Sequence, residues 1–188
     1  MSDITPRRIY LDTGAFQAIQ ECGGFVFGED DMPEAEDFNS RSCPQILRRP
    51  DGQEILEYLR YIFMFDQRAM FDWIVSPASL AEIDAARCEA RSRYARDVMD
   101  HSSICVADNP PSLTAAEMAK LMADPRFAGI STADRKLLVE AVALECDVFL
   151  TIEKKLPKSA GAVLKRIPLL ILTPSELWAM LEPHLKGL

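Results

Sequence analysis

At 188 residues the chain has the length of one domain with a sizeable core, and a hydrophobic content of 48% excludes a disordered polymer. A formal net charge of −8 excludes a protein that coats nucleic acid through general basicity, but not one that grips it through local basic patches. No apolar stretch reaches the length of a membrane span, and MSDITPRR lacks the apolar run of a signal peptide, so the expectation is a cytoplasmic protein with no membrane segment.

In chain order, the apolar run Ile9-Tyr10-Leu11 predicts a strand over about 8–12, followed by a short helix at about 13–20. Gly23-Gly24, the acidic tract Glu29–Asp37 and Pro44 predict an extended acidic loop insertion over about 22–50, most simply a solvated one. Ile55, Leu59, Ile62 and Phe63 recur at helical spacing and predict a helix over 51–70. Trp73-Ile74-Val75 is a short strand. Ser76-Pro77 then starts a helix predicted to run to about residue 100. A strand at 104–107, helices at 113–123 and 131–145, and a strand at 147–152 follow. A loop and helix at 156–166, a strand at 169–172 and a helix from Thr173-Pro174 complete the chain. Strands alternating with helices predict a single domain over 1–188 of three-layer α/β/α type, with a mainly parallel central sheet.

Cysteines are five and scattered, with no CxxC pair, which leaves zinc ribbons and redox motifs unsupported and thiols in a reducing cytosol as the simple reading. The chain has no GxxxxGK[ST] or GxGxxG loop, and neither His101 nor His184 belongs to a visible Ser-His-Asp arrangement. Leu11-Asp12-Thr13-Gly14 has the look of an aspartic-protease turn. That chemistry needs two such aspartates in an all-β setting, and this chain has one in a helix-rich context.

Four acidic residues stand where the chain leaves a strand or enters a helix: Asp12, Glu82, Asp134 and Glu153. In a wound α/β domain those places meet at one edge of the sheet. Four carboxylates there repel one another unless shared protons or a hard divalent cation compensate. Taken singly, each has an ordinary role open to it. Asp12 could cap the helix after Thr13, Glu82 could close a capping box with Ser79, Asp134 could do so with Ser131, and Glu153 could be a solvated loop residue. Two basic groups flank them. Arg87, Arg91, Arg93 and Arg96 lie on the predicted long helix, and Lys154 and Lys155 follow Glu153. The arginines are either an exposed salt-bridged face or a track for a nucleic-acid backbone, and the lysines, with Lys158, are a second candidate for phosphate contact.

The order of these residues resembles the PIN-domain family of metal-dependent ribonucleases, which includes the VapC toxins. The resemblance lies in Tyr10-Leu11-Asp12-Thr13, in Ser76-Pro77-Ala78-Ser79-Leu80-Ala81-Glu82-Ile83, and in the stretch from Asp134-Arg135-Lys136-Leu137-Leu138 through Cys146–Thr151 to Ser175-Glu176. The stretch between Cys22 and Trp73 is not matched. The resemblance implies a PIN-like fold and an endoribonuclease using Mg²⁺ or Mn²⁺ held by Asp12, Glu82 and Asp134, with Glu153 in the fourth acidic position. Thr13 and Thr151 would be supporting hydroxyls, and Arg87, Arg91, Lys154 and Lys155 candidate RNA contacts. It also implies RNA as partner, with an antitoxin protein or a homodimer as further partners. Where the family has Asp, this chain has Glu153, which keeps the charge and adds a methylene. That departure, with the acidic tract, leaves a second class open: a non-catalytic PIN-like module that binds a protein or RNA partner.

Overall fold

Five short apolar runs become the strands of one all-parallel sheet. The computed structural model describes residues 6–34, 44–85, 104–106, 110–156, 167 and 169–187, with 82–85, 126, 186 and 187 by backbone alone. The strands are β1 (Arg8–Leu11), β2 (Asp72–Val75), β3 (Ile104–Val106), β4 (Val148–Leu150) and β5 (Leu170–Leu172). Their order across the sheet is β3-β2-β1-β4-β5. Every adjacent pair is parallel, with Leu11 level with Val75 on one side and Leu150 on the other. The helices are α1 (Thr13–Glu21), α2 (Gly23–Val26), α3 (Gly52–Ala69), α4 (Pro77–Ala85), α5 (Ala115–Met122), α6 (Thr132–Ala143) and α7 (Pro174–Leu181).

Alternation along the strands builds two cores. Ile9, Leu11, Trp73, Val75, Val148 and Leu150 face α1, α3 and α7, while Tyr10, Ile74, Phe149 and Ile171 face α6. Stacked rings anchor both sides, Phe63 on Trp73 with centroids 4.5 Å apart and Tyr10 on Phe149 at 5.4 Å. The result is three layers, α/β/α, as the alternation of elements predicts. At about 2 kcal/mol per large apolar side chain removed from water, these clusters carry the fold. None of the described helices is long and apolar enough to cross a membrane.

Several boundaries differ from expectation. The 22–50 stretch, expected as loop, holds α2 and a 3-10 turn at Gln45–Arg48, because Phe25, Val26, Ile46 and Leu47 are buried against the α3 side of the core. Tertiary burial outweighed the glycine and proline signals there. Strands β1 and β4 stop at Leu11 and Leu150, so Asp12, Thr151 and Ile152 lie just beyond the sheet rather than in it. Helix α3 ends at Met70, a left-handed residue at φ 53°. There the Asp66 carboxylate accepts from Phe71 N at 2.6 Å and Trp73 Nε1 at 2.8 Å, fastening the helix end to β2. The predicted continuation of α4 to residue 100 and the helix within 156–166 lie outside the described residues, apart from Leu156.

Candidate functional site

The strand order fixes where a site belongs. From β1 the chain moves outward to β2 and β3, then returns to the other side of β1 as β4, so the order reverses between β1 and β4. Ligands of open parallel sheets bind at such a reversal, beyond the carboxyl ends of the strands. Asp12 follows β1 at that point and Thr151 follows β4. Two backbone bonds hold them there, Asp12 N to Leu150 O at 3.0 Å and Thr151 N to Leu172 O at 3.0 Å.

Asp12 is 7% exposed. It occupies the N-cap position of α1 in extended geometry, yet its side chain makes no capping bond, so the capping role open from sequence is not the one it takes. Its Oδ2 instead accepts from the buried Thr151 hydroxyl at 2.7 Å. The same hydroxyl accepts from Glu153 N at 3.1 Å, so Thr151 joins the Asp12 carboxylate to the loop that carries Glu153. Burial pushes the Asp12 carboxyl up to about 6. The Thr151 bond and the Thr13 backbone oppose this, while the charges of Glu153 and Asp134 reinforce it. The charges of two other predicted carboxylates, Glu153 and Asp134, therefore bear on Asp12 at the β1–β4 reversal. Gly14 belongs to the same corner: a Cβ there would stand 3.2 Å from the Ile152 side chain.

Asp134 sits in the first turn of α6 and is half-buried. Ser131 caps that helix, its Oγ accepting from Asp134 N at 3.1 Å and donating to Asp134 Oδ2 at 2.7 Å. The Ser131 side-chain cap is formed, without the reciprocal half of the expected box: Asp134 accepts from the Ser131 hydroxyl rather than the Ser131 backbone, and its charge still reaches Asp12. Glu82 lies on α4, and its side chain is outside the description. The box expected between Ser79 and Glu82 does not match the helix start. Ala78 N donates to Ser76 Oγ at 3.1 Å, Leu80 N donates to Ser76 O, and Ser79 is already inside the helix. Buried Ser79 shares a 2.8 Å hydrogen bond with Thr13 Oγ1 instead, which draws α4 and its Glu82 towards the start of α1.

Glu153 is exposed, and the two lysines after it are exposed as well. Lys154 Nζ lies 3.1 Å from Asp51 Oδ2. Arg87 and Arg91, and His101, lie outside the described residues; His184 is in the closing 3-10 turn Glu182–Gly187. Arg49 and Asp51 went unremarked in the sequence. Arg49 Nη2 donates to Ile152 O at 2.9 Å beside Glu153, and Arg49, with Lys154 next, holds the Asp51 carboxyl down at about 2. The only local signal was Arg-Arg-Pro-Asp-Gly before a helical pattern, which marks a turn and does not say what the turn touches.

Carboxylate and hydroxyl oxygens are the donors a hard divalent cation takes, and Asp12, Asp134 and Glu153 supply that chemistry. Among the described residues, which omit the Glu82 side chain, no three His, Cys, Asp or Glu side chains stand close enough together to hold an ion. No protein family, no curated protein and no solved structure matches the chain.

Proposed function

We propose that the chain is a metal-dependent endoribonuclease whose site is the acidic corner beyond β1 and β4. The observation that carries this reading is Asp12: a buried carboxylate at the sheet's reversal point, released from capping, and raised to about 6 with help from Glu153 and Asp134. A protein retains such repulsion where a positive charge answers it. Asp12, Glu82 and Asp134 would hold Mg²⁺ or Mn²⁺, with Glu153 as the outer fourth group. When bound, the ion supplies a water of lowered pKa and offsets charge on the scissile phosphate.

The chain's own residues do the rest. Asp12 is oriented at a strand end by the Thr151 hydroxyl. The Ser131 cap aims Asp134, and the Thr13–Ser79 bond sets α4 against α1. Glu153 is exposed and one methylene longer than an aspartate, and serves as the most replaceable member, since water can take the place of its carboxylate at an ion. Lys155, beyond it, is a candidate contact for an RNA backbone.

The test is RNA cleavage by purified protein with Mn²⁺ or Mg²⁺, removed by EDTA and restored by the ion, and lost in Asp12→Asn and Asp134→Asn. Cleavage by Asp12→Asn equal to wild type would end the nuclease reading. The second reading, a PIN-like module that binds a partner without cutting, draws on the spacing of the described carboxylates, which do not by themselves close around an ion. Wild-type protein that takes up no Mn²⁺ and cuts no RNA would favour it.

A further inference from the structure

We propose that Arg49 and Asp51 are positioning residues for Glu153, forming a strap by which the end of the 22–50 segment holds the loop after β4 at the acidic corner. The strap itself stands on geometry; its consequence for the site rests on the metal-site reading above. Glu153 has an anchored residue on either side. The Ile152 carbonyl accepts from Arg49 Nη2 at 2.9 Å, and Lys154 Nζ pairs with Asp51 Oδ2 at 3.1 Å. Arg49 and Asp51 are joined to each other, Nε to Oδ1 at 3.1 Å and Nη2 to Oδ2 at 3.3 Å. One side-chain pair thus grips the residues before and after Glu153, while Thr151 takes the Glu153 N–H from the opposite side.

Local sequence explains how Arg49 comes to be there. Arg49 N donates to Ile46 O at 3.1 Å and Gly52 N donates to Arg49 O at 3.0 Å, folding the 3-10 turn back onto the start of α3. A Cβ on residue 52 would stand 2.0 Å from the Ile46 carbonyl oxygen, so the close return requires glycine. The planar fork of arginine serves a carboxylate and a carbonyl at once, which a lysine ammonium does not reproduce. The two anchors are unequal. The Lys154 side chain is 65% exposed and its pair is weak in water, whereas Arg49 is one-third exposed and bonds a backbone carbonyl. Asp51, at the N-cap position of α3, makes no capping bond and gives its carboxylate to the strap instead.

The experiment combines amide hydrogen exchange on the metal-free full chain with Mn²⁺ titration followed by electron paramagnetic resonance. In Arg49→Ala the amides of Glu153 and Leu156 are expected to exchange about tenfold faster, from loss of a hydrogen-bonded anchor, while the Asp12 amide, bonded to Leu150, keeps its wild-type rate. Mn²⁺ affinity is expected to fall about tenfold, the scale on which outer residues that orient ligands act. The double variant Arg49→Ala/Glu153→Gln should bind no more weakly than Glu153→Gln alone, since both act through one group. Arg49→Lys, the milder change should Arg49→Ala fail to fold, is expected between wild type and Arg49→Ala in both readouts. Unchanged exchange at Glu153 in either variant overturns the strap. Faster exchange with unchanged Mn²⁺ affinity, or full additivity with Glu153→Gln, overturns its positioning role. Wild-type protein that takes up no Mn²⁺ sinks the metal-site reading and Glu153's part in it, an outcome separate from failure of the strap, which exchange alone decides.

Discussion

Strands β1 and β4 carry an aspartate at each end of their pairing, and the two are treated oppositely. Asp147, before β4, accepts from Arg7 N at 2.8 Å and Arg8 N at 2.9 Å with the same carboxylate oxygen, tying the entry of one strand to the next. Asp12, after β1, sits buried, with the Thr151 hydroxyl and the Thr13 backbone favouring its charge and the charges of Glu153 and Asp134 opposing it. At one end backbone N–H groups satisfy the charge. At the other, burial and like charges work against it. Stability is sufficient reason for Asp147, and it is an insufficient reason for Asp12, which is why the function is sought at the carboxyl edge.

The largest expected contrast is in activity. Asp12→Asn should reduce Mn²⁺-dependent RNA cleavage by at least about a thousandfold, as removal of a ligand disables both ion and water. Asp147→Asn should keep most of it, because its amide oxygen can still accept a backbone hydrogen bond. Comparable losses from both would show that Asp12 acts through the fold.

Stability should reverse the ranking. Asp147→Ala leaves the half-buried Arg8 N without its acceptor, while exposed Arg7 N can turn to water, and should destabilise by about 1–2 kcal/mol in urea unfolding. Asp12→Asn should instead stabilise the metal-free protein at neutral pH. A carboxyl raised from 3.8 to about 6 disfavours the ionised fold by up to about 3 kcal/mol above pH 6, discounted to about 2 for the new amide's own burial. The sign follows from linkage. Between about pH 4 and pH 6 the folded protein keeps a proton that the unfolded chain has lost, so this group's favourable contribution, full below its unfolded pKa, is lost as pH rises. Wild type should therefore lose stability across that window relative to Asp12→Asn. Parallel pH curves for the two proteins would mean that Asp12 is not the buried acid.

Which parts of this were legible in sequence follows from the range of the signals. Apolar runs and helical spacing are local, and Ile9-Tyr10-Leu11, Val148-Phe149-Leu150 and the Leu59–Phe63 pattern placed the layers and the parallel sheet. Helix starts were also local: Ser131 caps α6, and α7 begins where Thr173-Pro174 implies. What failed was non-local. Ser79 looked like the partner of Glu82 because the two are three residues apart, but Pro77 begins the helix earlier and Thr13, sixty-six residues away, claims the hydroxyl. Arg49 reaches Ile152 across more than a hundred residues, and no pattern around Arg49 encodes that contact. Ile46 and Leu47 were hidden because a short apolar pair beside proline and glycine looks like loop until something buries it.

The smallest effect expected is also the most direct measure of whether the acidic corner is a cluster. Burial is the first cause of the raised Asp12 carboxyl, and the charges of Glu153 and then Asp134 are lesser ones. Removing one charge should therefore lower the Asp12 titration point without returning it to the ordinary range. Carboxyl-detected NMR titration of metal-free Glu153→Gln should show a fall of less than about one pH unit, and Asp134→Asn a smaller one. The comparison with Asp147 supplies the control, since the hydrogen bonds that Arg7 N and Arg8 N donate to it should be unchanged in both variants. If neither substitution moves Asp12, the carboxylates do not sense one another and the corner is only a buried acid. If Glu153→Gln brings Asp12 down to about 4, charge rather than burial is the leading cause. The stabilisation expected for Asp12→Asn should then appear in Glu153→Gln as well, which unfolding of the two variants at pH 7 distinguishes.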